Sequence, residues 1–421
     1  MKETEIRLPY GESYLTVKIP EKNLSYTLST RDEKGLPDEA AAIRSSLSRP
    51  IASLPLGERV KKTDKVVVIV TDNTRPCPDD RILPPLLAEL EKIVPRENIT
   101  IIVALGLHPP MDEPALIKKV GKDIVRNYRV LNHDVNDTVN IGTTSRGSPV
   151  DINRRVVEAD FRVSTGFIEP HLFAGFSGGR KSIAPGVFSA RAAYHNHGFK
   201  MIDHPNSRPG VLRGNPIHED MVEMAKMARL DFIVNVLLNK KREITHVVAG
   251  DPFQAHELGC ALEAELAEVR APYKADIVIT TNSGTPLDLD LYQTVKGIET
   301  ASRITRDGGI IISASACFAG VGPESFYEAH AGAKTPEEVL QRLKTNPHSG
   351  VPWENQILAR IQMKSSLYLV SCLPENIVRD MMLTPVASTE EGLERAFKVL
   401  GNEAKIAVIP EGPLVIPVLE S

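Results

Sequence analysis

Residues 175–186 read GFSGGRKSIAPG, placing four glycines around Arg180 and Lys181. The stretch is close to a phosphate-gripping loop, but that pattern needs Gly immediately before its Lys, and here Arg180 separates Gly179 from Lys181. The lysine therefore needs a task other than cradling a triphosphate. Other residue types that do chemistry sit in short Gly- or Pro-bearing segments: Asp72 and Arg75 in TDNTRP, His108 in GLHPP, His171 in EPHLF, and Tyr292, Gln293 and Lys296 in LYQTVKG. Further along lies Trp353, the only tryptophan. Two imidazoles suggest proton transfer near neutral pH. The segment AAYHNHGFK adds His195 and His197, with His204 beyond. Imidazole suits late first-row metals, yet no HExxH and no carboxylate-rich cluster accompanies the pair. A metal there needs donors from a bound group.

The elements that must position these residues follow from the hydrophobic pattern. KVVVIV (65–70), ITIIVAL (99–105) and FRVSTGF (161–167) are short, nearly continuous apolar runs, as expected of strands buried on both faces of a parallel sheet. Helical spacing follows in DDRILPPLLAELEKIV and ALIKKVG, and again over 251–269. A second series, DIVITT (276–281), GGIIISAS (308–315) and SLYLVSC (366–372), repeats the alternation. SYLTVKIP, near the N-terminus, alternates as an antiparallel or edge hairpin does.

The chain is thus predicted to be α/β, with two α/β domains, mostly parallel sheets and an active site in the cleft between them. PYKA (272–275) is the best linker, so a first domain over 1–271 carries Lys181 and the histidines, and a second over 272–402 carries Tyr292, Gln293, Lys296 and Trp353. The last strand, KIAVIP (405–410), fits either, and a tail of about 403–421 can pack back on the first domain. In an open parallel sheet ligands bind beyond the carboxyl ends of the strands. Asp72 and Arg75, His108, His171 and Lys181, and Tyr292 through Lys296 each follow a different predicted strand, so four loops converge on that edge.

Each residue also has a plainer reading. Asp72 can cap the next helix, His108 and His171 can be structural, Tyr292 and Gln293 can be packing residues, and Trp353 a core anchor. Only the constellation points to a site.

Composition narrows the class. The chain has 421 residues, 25% of them charged, a formal net charge of −4 and no basic block, so nothing suggests a nucleic-acid partner. No run approaches a membrane span, and MKETEIRLPYGESY lacks the apolar centre of a signal peptide. The four cysteines, Cys77, Cys260, Cys317 and Cys372, form no CxxC pair and fit a reducing cytoplasm.

TDNTRP (71–76), GLH (106–108), EPHLFAGFSGGRKSIAPG (169–186), NHG (196–198), GNPIHED (214–220), PLDLDLYQTVKG (286–297) and PWENQ (352–356) together resemble the lactate racemase family, in that family's order and with compatible spacing. The resemblance implies a nickel-pincer nucleotide bound covalently to Lys181, with His197 rather than His195 as the ligand to Ni²⁺; the glycine-rich loop itself suggests Gly178, Gly179 and Arg180 as the cofactor's phosphate partners. The resemblance also implies His108 and His171 as paired acid and base. By the same resemblance, Asp72 and Arg75 are expected to orient one histidine and meet the substrate oxygen, Gln293 and Lys296 to anchor the substrate carboxylate, and Tyr292 and Trp353 to line the pocket. The implied reaction inverts C2 of a small-molecule 2-hydroxy acid by reversible hydride transfer, with cofactor-biosynthesis proteins as transient partners. In one departure, Pro109 follows His108 where many relatives carry Arg, which bears on the pocket entrance and substrate preference. Rival expectations are an epimerase for a larger acid (an aldonate, malate or an aromatic acid), a non-catalytic carrier of the nickel nucleotide, and a kinase or nucleotide hydrolase. The histidine pair argues against the carrier, and the broken Walker pattern against the last.

Overall fold

The computed structural model describes residues 2–346 and 350–420. Among these, two six-stranded sheets dominate. The first runs Ile244–Gly250, Phe232–Leu238, Phe161–Phe167, Val66–Thr71, Ile99–Ala104 and Arg129–Asn132. All its neighbours are parallel except the Ile244–Gly250 edge. The second runs Thr384–Pro385, Ser366–Val370, Thr305–Ala314, Ala275–Thr281, Ile406–Ile409 and Leu24–Thr27, parallel throughout. The chain is mixed α/β with mostly parallel sheets, as its pattern predicts.

The apolar runs are buried on both faces because successive side chains point to opposite sides. Val66, Val68 and Val70 pack with helix Asp79–Leu90 in one core, while Val67 and Ile69 face a second core that also holds Phe188 and Val278. The N-terminal hairpin pairs Glu3–Tyr10 with Ser13–Pro20. Its inward residues Leu8, Val17 and Ile19 cover Ile277, Ile279, Ile310 and Ile312 of the second sheet.

Strand pairing crosses residue 272. Leu24–Thr27, inside the span assigned to the first domain, is an edge strand of the second sheet. Ile406–Ile409 lies beside Ala275–Thr281 in that sheet, and only Ile416–Leu419 turns back, to pair with Glu268–Ala271. Parallel pairing is non-local, so a four-residue edge strand carries no sequence signal of its neighbour. No helix among the described residues is long and apolar enough to cross a membrane.

Candidate active site

The carboxyl ends of neighbouring strands in the first sheet open onto one cavity. Asp72 and Arg75 follow Val66–Thr71, His108 follows Ile99–Ala104, and His171 and Lys181 follow Phe161–Phe167. From the second sheet's side come Tyr292, Gln293 and Lys296 on helix Leu291–Arg303, and Trp353 and Glu354 on helix Pro352–Gln362. Asp290 caps the first of these helices by accepting from the Gln293 amide at 2.7 Å, which sets the turn that presents Tyr292 and Gln293. The cavity encloses about 1270 Å³ of space not filled by atoms, its open mouth included.

Asp72 does not cap a helix. Its Oδ1 accepts from the Thr74 hydroxyl at 2.6 Å, and its Oδ2 lies 2.5 Å from Nδ1 of His108. Burial alone would raise the Asp72 carboxyl, but the hydrogen bond and charge of His108, with Arg75 nearby, bring it down to about 2. The buried Nη1 of Arg75 has no hydrogen-bond partner.

His171 is buried; its Nδ1 accepts from the Ala174 amide at 3.3 Å and its Nε2 lies 3.3 Å from Nζ of Lys181. Burial, then the charges of Lys181, Lys296 and Arg75, hold its pKa well below the usual imidazole range. Burial, then Arg180, Arg75 and Lys296, does the same to the Lys181 amine. A neutral amine is the nucleophilic form. Lys296 is lowered to about 8 by burial and Arg75, against the pull of Glu169 and Glu354, and its Nζ donates to Oε1 of Gln293 at 2.5 Å.

A line of rings crosses the cavity wall. Phe173 stands edge to face with His171 at 4.7 Å and with His197 at 4.9 Å, and His197 meets Trp353 at 5.1 Å. The Trp353 indole donates to the Tyr292 hydroxyl at 2.7 Å. The two histidines of H-x-H part company. His197 is 5% exposed and lines the cavity, with Nδ1 on Oδ1 of Asn196 at 2.8 Å. His195 is exposed and its Nδ1 lies 2.8 Å from the Ser148 hydroxyl. His204 is exposed too.

The glycine loop differs from expectation. Arg180 is 1% exposed, and its guanidinium donates to the carbonyls of Ala174, Phe176 and Gly178 at 2.6, 2.8 and 3.2 Å, with Nε2 of His256 at 3.1 Å. It braces the loop from behind and is not free to meet a phosphate. Residues 179–182 form a 3-10 turn, so consecutive side chains diverge and Lys181 enters the cavity while Arg180 leaves it. Gly178 and Gly179 do line the cavity, but the Gly179 amide already donates to Oδ1 of Asn235 at 2.7 Å. Both have positive φ, +75° and +53°, and a Cβ would sit 2.7 Å from Asn235 Oδ1 or 2.6 Å from the His256 ring.

Sequence reasoning missed Glu354. It is 3% exposed on the cavity wall, its Oε2 has no partner, and burial raises it to about 7 against the pull of Lys296, Arg75 and Lys181. Its place next to the tryptophan in PWENQ was the available signal. Among the described residues no group of three or more His, Cys, Asp or Glu is arranged to hold a metal.

Two family models match the chain: the lactate racemase N-terminal domain over residues 10–210 and the lactate racemase C-terminal domain over residues 270–417. The lactate racemase of Thermoanaerobacterium thermosaccharolyticum is 38% identical over 420 residues, 98% of each chain. That of Lactiplantibacillus plantarum is 38% identical over 423 residues, 98% of this chain and 99% of the relative. The solved lactate racemase apoprotein from T. thermosaccharolyticum matches with a TM-score of 0.93 at 38% identity, covering 99% of this chain and 100% of the other. A protein from Thermotoga maritima, 20% identical with a TM-score of 0.71, shares the fold over 93% of this chain and 100% of its own.

Proposed function

This chain belongs to the lactate racemase family, and on that premise we propose that it interconverts the enantiomers of lactate or a similar short-chain 2-hydroxy acid. One observation carries the reading: His108 and His171, delivered from separate strand ends, line the same cavity as Lys181 and His197. Two bases and a buried amine in one cavity have no use in a protein that only carries a cofactor.

Lys181 and His197 are the residues that would hold a nickel-pincer nucleotide, the first through a covalent bond and the second through Nε2 to the metal. The residues fit that group. The Lys181 amine is held well below its usual range by burial, and His197 has Nδ1 committed to Asn196. Both line the same cavity. One imidazole needs further donors to complete a metal site, which a sulfur-bearing ligand supplies. When bound, the group would supply an electrophilic carbon for hydride chemistry that side chains lack.

The chain's own residues bind the acid and handle its hydroxyl proton. Lys296, paired with Gln293, would anchor the carboxylate and so fix the direction in which C2 faces. Arg75, with Nη1 unpartnered, has a donor for the hydroxyl oxygen. Asp72 on Nδ1 leaves Nε2 of His108 to exchange the hydroxyl proton, and His171, kept neutral by burial with Nδ1 taken by the Ala174 amide, has its proton on Nε2 as the second proton-handling group of the cavity. Each enantiomer would then meet its own imidazole.

A second reading, epimerisation of a larger 2-hydroxy acid such as an aldonate, draws on the unpartnered Oε2 of Glu354, which can accept from an additional substrate hydroxyl. Chiral chromatography separates the two, with cofactor-loaded protein given L-lactate, D-lactate, an aldonate and an aromatic 2-hydroxy acid in parallel. Equal formation of D- from L-lactate and the reverse is expected. Loaded protein that leaves both lactates unchanged would overturn lactate as substrate.

A further inference from the structure

The segment GNPIHED (214–220) has no part in the chemistry above, yet its last residue reaches the cavity wall through two hydrogen bonds. Asn215 caps helix Pro216–Met227, accepting from the amides of Ile217 at 3.1 Å and His218 at 3.3 Å. One turn on, Asp220 is fully buried. Its Oδ1 accepts from the Thr144 hydroxyl at 2.6 Å, and its Oδ2 accepts from the Ser148 hydroxyl at 2.6 Å and from Nδ2 of Asn196 at 2.7 Å. All three donors are neutral.

The carboxylate can only accept, so the Asn196 amide must turn its NH₂ toward it. The same NH₂ also reaches the Ile217 carbonyl at 3.3 Å. Oδ1 of Asn196 is thereby left facing Nδ1 of His197 at 2.8 Å. An amide oxygen only accepts, so the imidazole proton must sit on Nδ1, and Nε2 keeps its lone pair. The neighbouring histidine is handled separately: the Ser148 hydroxyl, having donated to Asp220, accepts from Nδ1 of His195 at 2.8 Å.

We propose that Asp220, acting through Asn196, is a positioning residue that fixes the Nδ1–H tautomer and ring orientation of His197, so that Nε2 is presented to the cavity as a metal ligand. The buried negative charge polarises the Asn196 amide and makes the imidazole a stronger donor ligand. Its functional meaning rests on His197 holding the metal, as proposed above, whereas the hydrogen-bond relay itself does not.

The test uses full-length protein labelled with ¹⁵N-histidine, without cofactor, read by long-range ¹H–¹⁵N correlation. Wild-type His197 is expected as a single Nδ1–H tautomer. Asp220→Asn, which can turn a donor toward Asn196, and Asn196→Leu, which removes the relay but leaves Asp220 bonded to Thr144 and Ser148, are each expected to lose that single form. Thr144→Val, which removes one hydrogen bond to Asp220 without touching Asn196, should keep it. In protein loaded with the nickel nucleotide, Asp220→Asn should lower metal retention against a chelator by about 10- to 100-fold. An unchanged His197 tautomer in Asn196→Leu would overturn the proposal, even if Asp220→Asn fails to fold. Wild-type protein that shows the tautomer but holds no nickel would count against His197 as ligand, and so against the reaction proposed above, while the variants still decide the relay.

Discussion

Nδ1 of His108 lies 2.5 Å from Oδ2 of Asp72, across the ends of two neighbouring parallel strands. Val66–Thr71 and Ile99–Ala104 pair in register from Val66 with Ile99 to Thr71 with Ala104, so the residue leaving one strand meets the loop leaving the other. Thr74 holds the second carboxylate oxygen. Asp72 thus fixes one tautomer of His108 with Nε2 free.

Asp72→Asn tests this directly. An amide can present its NH₂ to Nδ1 and turn the imidazole to the wrong tautomer, so kcat should fall by roughly 10²-fold or more with little change in KM. A steady-state assay showing unaltered kcat in both directions would remove Asp72 from the proton-handling machinery.

The same carboxylate has a signature in stability. A carboxyl held at about 2 in the folded chain stabilises the fold above its ordinary value near pH 4. That contribution, on the order of 2 kcal/mol, is lost as pH falls from about 4 through 2. Denaturant unfolding of wild type and Asp72→Asn should show a gap at pH 6 that closes toward pH 2. A gap independent of pH would mean that packing, not charge, accounts for it.

Lys296, lowered to about 8, carries its charge below that pH and loses it above. The ratio kcat/KM should therefore fall by about tenfold per unit above pH 8, through loss of the carboxylate anchor. Glu354 helps Lys296 keep its proton, so Glu354→Gln should move the break to lower pH. A flat profile to pH 10 would show that Lys296 is not the anchor.

Arg180 should behave as a brace. Arg180→Met leaves several buried carbonyls without their donor, each costing about 1–3 kcal/mol, so a large drop in melting temperature is expected. If Arg180→Met kept wild-type stability and lost only nucleotide binding, the arginine would be a phosphate ligand after all.

Much of the site was legible because strand ends are. KVVVIV, ITIIVAL and FRVSTGF mark three strands by composition alone, and the residues after them converge through the rule that ligands meet parallel sheets at their carboxyl edge. The membership of Leu24–Thr27 in the second sheet was not legible, because a parallel edge strand is specified by distant partners. The direction of Arg180 was not either, because adjacent residues on a tight turn point apart and sequence does not say which faces inward. In H-x-H alone the opposite settings of the two histidines were not legible: His197 lining the cavity beside Asn196 and His195 exposed beside Ser148 are brought about only by folding.

The central claim is that Lys181 is a covalent attachment point, and intact mass with metal analysis tests it most directly. Wild-type protein produced together with the enzymes that make the nickel nucleotide should carry one adduct, localised to Lys181 by peptide mapping, with about one nickel per chain. Lys181→Ala should carry neither. Normal adduct and nickel in Lys181→Ala, or wild-type protein that interconverts lactate enantiomers with no adduct, would contradict it.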